Sequence, residues 1–349
     1  MIKLKKYQYR SLWYKKLYYY MQAGQSLPDA IQVSGDEPEI KLLQTELQTG
    51  KKLSLICKDD LRDIFSFVEI ALMSVAEKTG KIKDIFLSLS VLLKAQHVQK
   101  QKLISAAIYP AIVLCLAGGL LLMILTIIVP KIGPLFSDMP SLPISTRILL
   151  SASDHVRNWW WIDMTITILM VTAHYSFRGQ GTYRKFLEIV RRNFLFRTPY
   201  VKNIYMLWHI EKWMQVICVC LQTRISFPES LGMAGESLNN AFMQREFTIV
   251  EHQVREGNTC ADSLRVMDHR IYKILQGWES VIRSGERTGA LLEVFLVCHE
   301  HTQSQLEESL DKAQKTIEPA LIVAVGLMVL SICLSIILPM YQLTQSLNA

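Results

Sequence analysis

Two stretches of this chain leave little choice of environment. Leu103 to Val129 is a run of 27 residues without a charged side chain, and Pro319 to Ala349 is another of 31. Each exceeds the ~20 residues that a helix needs to cross hydrocarbon. Backbone amides have no water to bond there, so each run is read as a helix rather than a lone strand. A third span is expected at residues 159–176, where Trp159, Trp160 and Trp161 form an aromatic edge before the apolar stretch Met164 to Ala173. Asp163 and His174 interrupt it. Half of the 349 residues are hydrophobic, more than a soluble chain of this size needs to fill its cores.

Basic residues give the expected orientation. Lys and Arg number 17 in residues 1–105, three in 130–158 and 18 in 174–318, with none after Lys315. The alternation places the two rich segments in the cytoplasm and the external loop and C-terminus outside. No cleavable signal peptide is expected, because the basic N-terminus lacks a continuous apolar core behind it. The net charge of +7 sits mostly in the first segment, which fits anionic lipid headgroups better than nucleic acid. The seven cysteines include no CxxC pair, so reduced thiols are expected rather than a metal or dithiol site.

The chain also resembles itself. A shift of 209 residues aligns Glu77 with Glu286, Gly80 with Gly289, Phe86 with Phe295, Pro110 with Pro319 and Pro130 with Pro339. The shift falls to 207 for Gly50 and Gly257, and to 200 for Ser26-Leu27-Pro28-Asp29 against Ser226-Phe227-Pro228-Glu229. The expected architecture is therefore a tandem duplication, two helical-bundle domains each followed by a span, with the extra span returning the chain to the cytoplasm. The boundaries read as domain 1 at 1–103, spans at 104–129, 159–176 and 318–339, domain 2 at 177–317, an external loop at 130–158 and an external tail at 340–349.

The recurring residues have structural readings. Ser26 and Ser226, each before a proline (Pro28, Pro228), read as capping boxes in which serine accepts a first-turn amide and the acid reaches back. Gly80 and Gly289 read as left-handed helix ends, with Glu77 and Glu286 accepting amides that open the following helix, or else meeting a partner. Pro110 and Pro319 are expected to start spans, and Pro130 and Pro339 to end them. Asp163 reads either as a hydrated group near the interface or as a contact to another helix or a translocating partner.

Enzyme chemistry has no foothold. There is no GxxxxGK[ST] phosphate loop, nucleophile elbow or HExxH, and His299 and His301 sit two residues apart, which points them away from each other on a helix. No catalytic residue, cofactor or metal ligand is expected. A small transporter or channel working through the span interfaces and Asp163 is the alternative class, disfavoured by parallel repeats and large polar domains.

These elements together resemble the PilC/GspF inner-membrane platform proteins of type IV pilus and type II secretion machines. The resemblance rests on Ala23-Gly24 to Ile31, on Gly285, Glu286 and Gly289, on Tyr109-Pro110, and on Pro339-Met340-Tyr341-Gln342. Ala76 and Arg224 depart from it where glycine is usual. The resemblance implies a non-enzymatic, homo-oligomeric scaffold in a bacterial inner membrane, N-terminus cytoplasmic and C-terminus periplasmic. It also implies a cytoplasmic assembly ATPase, pilin or pseudopilin subunits and other inner-membrane assembly proteins as partners.

Overall fold

The computed structural model describes residues 7–136, 143–177, 199–238 and 240–347, and every element among them is helical. In the first half these are α1 (Tyr7–Gln22), α2 (Leu27–Ser34), α3 (Pro38–Gln48), α4 (Leu53–Asp59), α5 (Phe67–Thr79) and α6 (Ile82–Met123). A wide turn at Ile124–Ile128 and a short helix at Val129–Ile132 continue α6, and α7 (Ile144–Phe177) follows. The second half holds α8 (Pro199–Gln222), α9 (Phe227–Glu236), α10 (Ala241–Arg255), α11 (Cys260–Ser263), α12 (His269–Leu275), α13 (Glu279–Thr288) and α14 (Leu291–Leu347).

The chain forms two compact units. One contains residues up to Leu103 together with Asn203–Ser309, and the other contains Ile104–Lys202 with Leu310 onward. In the first unit, each half buries an aromatic centre at corresponding positions. Trp13 and Trp213, 200 residues apart, and Phe86 and Phe295, 209 apart, are at most 1% exposed. Tyr14 stacks on Phe86 at 5.7 Å, and Trp213 stacks on Phe247 at 4.3 Å. Such rings remove large apolar areas from water, which is what holds these short helices in place.

Helix ends also correspond. Gly80 and Gly289 adopt φ of +71° and +73°, and each donates its amide to a carbonyl four residues back, Ala76 and Gly285. Gly50 and Gly257 take φ of +87° and +96°. Gly24 sits at φ +91°, whereas its counterpart Arg224 is forced to φ +62°, the one side-chain-bearing residue among the described ones with positive φ. A Cβ in that region costs about 1 kcal/mol, so Arg224→Gly is expected to raise the unfolding midpoint slightly, by about 0.5 kcal/mol after the added freedom of the unfolded chain is counted. A lower midpoint in a thermal melt would show that the arginine side chain contributes more than its backbone loses.

In the second unit, α6 and α14 are long and apolar enough to cross a bilayer. Only 11% of the most apolar window of each is buried. Leu114, Leu116, Ile322, Val323 and Leu327 are each more than half exposed, a continuous apolar surface of the kind that lipid or a partner covers. The third expected span lies on α7, a helix of 34 residues whose Trp159, Trp160 and Trp161 are exposed. Ser153 on α7 donates to the Leu125 carbonyl, and Thr146 donates to the Ser335 carbonyl of α14.

The prolines do not set helix limits. Pro110 lies inside α6, and Pro319 and Pro339 lie inside α14. Pro130 is the second residue of Val129–Ile132, and the wide turn at Ile124–Ile128 directly precedes it. A proline cannot donate to the carbonyl four residues back and crowds it. For Pro130 that carbonyl is Thr126, within the wide turn, where the helix has opened enough to relieve the clash.

Candidate functional site

The sequence places its most specific marks at the glutamate-glycine turns, and the structure shows what the glutamates hold. The Glu77 carboxylate accepts the Ser54 amide at 3.2 Å and the Ser54 hydroxyl. Glu286 accepts the amides of Cys260 at 2.6 Å and Ala261 at 3.4 Å. These amides open α4 and α11, the helices upstream of each turn. The expectation that each glutamate caps the helix after its glycine is therefore corrected: α6 and α14 begin beyond the turn, and the side chain folds back across the bundle instead. A carboxylate at a helix N-terminus satisfies orphan donors and meets the positive end of the dipole. Glu286→Ala is expected to cost about 2 kcal/mol, read as a lower thermal midpoint, whereas Glu286→Gln should lose about half as much because the amide oxygen still accepts. Equal losses from both variants would contradict the capping role.

Gly285 completes the second turn. A Cβ built there meets Val294 Cγ2 at 2.7 Å, so glycine allows α13 and α14 to approach. The first half carries Ala76 at the corresponding position, 1% exposed.

The two serine caps differ. Ser26 accepts the Asp29 amide at 3.4 Å, as expected, but the Asp29 carboxylate takes the serine hydroxyl rather than the backbone. Ser226 makes no side-chain cap bond, and its hydroxyl donates to Glu229 at 2.9 Å. Both departures have one cause: an acid three residues on that takes the hydroxyl hydrogen does not reach the cap amide. Pro28 and Pro228 occupy the first turns of α2 and α9 as expected.

A reciprocal capping box does exist, at Ser66 and Glu69. Glu69 is fully buried and also takes Arg10 Nε at 3.0 Å, Arg10 Nη2 at 3.2 Å and the Tyr14 hydroxyl at 3.0 Å. Sequence reading passes over this cluster, although Ser66-Phe67-Val68-Glu69 carries the capping signature. In the second half a different buried carboxylate is central. Glu211 of α8 accepts Gln99 of α6 and lies 3.0 Å from His299 Nε2 of α14. His301 turns instead toward Gln305 and Trp278, so the two histidines serve separate partners. The halves are tied again where Lys102 of α6 meets Glu307 of α14.

The remaining marked residues lie in the second unit. Tyr109 donates to Glu318 at 3.3 Å, linking α6 and α14 one residue before Pro110 and Pro319. Asp163 lies 3.2 Å from His155 Nε2 on its own helix, both about 58–59% exposed. Among the described residues no group of His, Cys, Asp and Glu is spaced to hold a metal ion.

The sequence matches known proteins over both halves. The family model for type II secretion system protein F matches residues 13–130 and 213–339, so both halves fall within it. The chain belongs to that family. Type II secretion system protein F of Vibrio cholerae is 23% identical over 94% of this chain and 80% of its own length. Type IV pilus assembly protein PilC of Thermus thermophilus is 22% identical over 88% and 74%. The HofC homolog of Escherichia coli, a protein transport protein, is 21% identical over 82% and 70%. The family match begins at Trp13 and Trp213, the buried tryptophans of each half, and ends at Pro130 and Pro339. Most of the buried core and the glutamate-glycine turns of both halves thus lie within the family segment.

Proposed function

We propose that this protein is a non-enzymatic platform in a bacterial inner membrane that couples a cytoplasmic assembly ATPase to polymerisation of pilin or pseudopilin subunits. The observation that carries the reading is the family match over both halves, each of which ends on a long apolar helix. Relatives named for type II secretion and for type IV pilus assembly point to this one machine class. In this reading the chain is a tandem duplication. Its domains occupy residues 1–103 and 177–317, its spans 104–129, 159–176 and 318–339, and its external segments 130–158 and 340–349. The N-terminus faces the cytoplasm and the C-terminus the periplasm, as the basic-residue alternation favours.

Physically, polar helical domains offer surfaces for a motor, and exposed apolar helices offer a seat for a subunit's own membrane helix. The turn residues Gly50, Glu77, Gly80, Gly257, Gly285, Glu286 and Gly289 hold the domains in shape, and Tyr109 couples neighbouring spans. Asp163 is assigned to the outer interface, with His155 as its companion.

The test is isolation of the intact chain in mild detergent after crosslinking in cells that assemble the machine. Co-isolation of an assembly ATPase and a pilin-like subunit is the expected result. The ATPase should be lost when charges on the first unit are reversed, and the subunit should be lost when exposed α6 residues are made polar. Absence of both from the intact chain would end the proposal. Labelling of single cysteines placed at 140 and 345, from outside only, tests the topology.

A further inference from the structure

A groove of about 550 Å³ opens in the first unit where α4, α5 and α6 of the first half meet α8 and α9 of the second. Its lining carries three cations, Lys58, Arg62 and Lys212, against one carboxylate, Glu236. Lys58 and Arg62 are exposed and form no ion pair among the described residues. Ser66, Phe67 and Val68 at the start of α5 also line it, the helix end itself being capped by Glu69. Phe67 is 47% exposed and presents its ring to the groove.

The second half supplies a contrast. The residues corresponding to Leu55, Lys58, Ile70 and Ser74 of this lining are Asp262, Arg265, Glu279 and Arg283, at shifts of 207 and 209. There Arg283 pairs with Asp262 at 2.7 Å and with Glu279 at 3.1 Å, and Arg265 pairs with Glu279. That face neutralises its own cations, two bases against two acids. The groove face does not. Lys212 adds to the imbalance: its amine donates to the Ser237 carbonyl, and burial holds its pKa down to about 8 although Glu211 pulls it up. An anion in the groove would reverse that penalty.

We propose that this groove binds a phosphate-bearing ligand with a planar ring, of the nucleotide class. Its phosphates lie against Lys58 and Arg62, and its ring lies against Phe67. Unpaired cations suit phosphate oxygens, an exposed aromatic face suits a base, and the volume falls within the range of about 300–1,000 Å³ usual for small-molecule sites. This inference stands apart from the platform reading.

The test is equilibrium binding of ATP, adenosine and pyrophosphate to the full chain in detergent. Saturable ATP binding is expected. Lys58→Ala and Arg62→Ala should each weaken it ~10-fold or more, the loss of one charge-assisted contact. Phe67→Ala should reduce ATP to the affinity of pyrophosphate. Arg283→Ala, in the self-neutralised face, should leave binding unchanged, and unaltered thermal midpoints exclude misfolding as the cause of any loss. Repeating the assay in phosphatidylglycerol and in phosphatidylcholine nanodiscs separates a soluble ligand from a lipid headgroup: loss of ATP binding only in phosphatidylglycerol would overturn the nucleotide assignment. No saturable binding, or binding indifferent to a Lys58→Ala/Arg62→Ala double variant, would overturn the site.

Discussion

Replacing Glu69 with alanine is expected to destabilise the first unit by about 3–5 kcal/mol, the range for breaking a buried ion pair from one side. That corresponds to a thermal midpoint lower by about 10 °C. The carboxylate has no exposure and serves four donors at once: the Ser66 amide at 2.8 Å, two Arg10 nitrogens and the Tyr14 hydroxyl. Its removal takes this acceptor from a guanidinium that is 4% exposed and a phenol that is fully buried, and it opens the cap of α5. The second half shows that the fold does not need the cluster. Ile210 and Met214 stand 200 residues on from Arg10 and Tyr14, and Trp278 stands 209 on from Glu69. The triple variant Arg10→Ile, Tyr14→Met, Glu69→Leu is therefore expected to recover most of the loss. What remains should be about 1 kcal/mol for the missing cap. Thermal melts of the full chain in detergent, with proteolysis of α1 as a local readout, test both parts. A Glu69→Ala midpoint within 2–3 °C of the parent would sink the argument, because about 1 kcal/mol moves a unit of this size by that much.

The same comparison explains what could be read from the residues alone. The left-handed ends at Gly80 and Gly289 were legible because a glycine between two apolar periodicities has few other reasons to be there. The apolar helices were legible because hydrocarbon admits few alternatives. The buried clusters were not. Glu69 bonds to Arg10 across 59 residues and Glu211 meets His299 across 88, and no local pattern announces such pairs. They also differ between halves: Ser11 donates to the Ser90 carbonyl at the positions where the second half sets Glu211 against His299. Self-similarity therefore exposes the frame common to both halves and hides the polar contacts in which they differ. The direction of Glu77 and Glu286 departs from the expected one for a related reason. Spacing along the chain favours the next helix, while the fold brings the previous helix's amides closer.

Buried thiols give the second large effect, a loss of stability on the alkaline side. Cys57, Cys218, Cys220, Cys260 and Cys298 are all buried and unpaired by disulfide. Burial is the main cause that pushes Cys218, Cys220 and Cys298 up to about 12, and it pushes Cys57 and Cys260 higher still, with Glu69 and Glu77 adding at Cys57 and Glu286 at Cys260. The folded chain thus keeps five protons that the unfolded chain releases near pH 8.5–9, the ordinary thiol range. Stability from these groups is fully present below that range and falls above it, because the unfolded state then binds fewer protons. Each thiol contributes about 1.4 kcal/mol per pH unit, so one unit above its ordinary pKa the five together approach about 7 kcal/mol. Lys212 acts in the opposite sense. Its pKa is lowered to about 8, so the folded chain sheds that proton first and gains stability as pH rises toward the ordinary lysine value. One group against five leaves the net slope downward. Unfolding midpoints at pH 7.5, 9 and 10 in the presence of reductant measure it. The Cys218→Ala/Cys220→Ala variant, compared with its own midpoint at pH 7.5, should lose about three-fifths as much by pH 10 as the parent does, three of five thiols remaining. A parent midpoint that stays level from pH 8 to 10 would mean that these thiols reach solvent in the folded protein, contrary to the packing of Cys220 and Cys260 at 0% exposure.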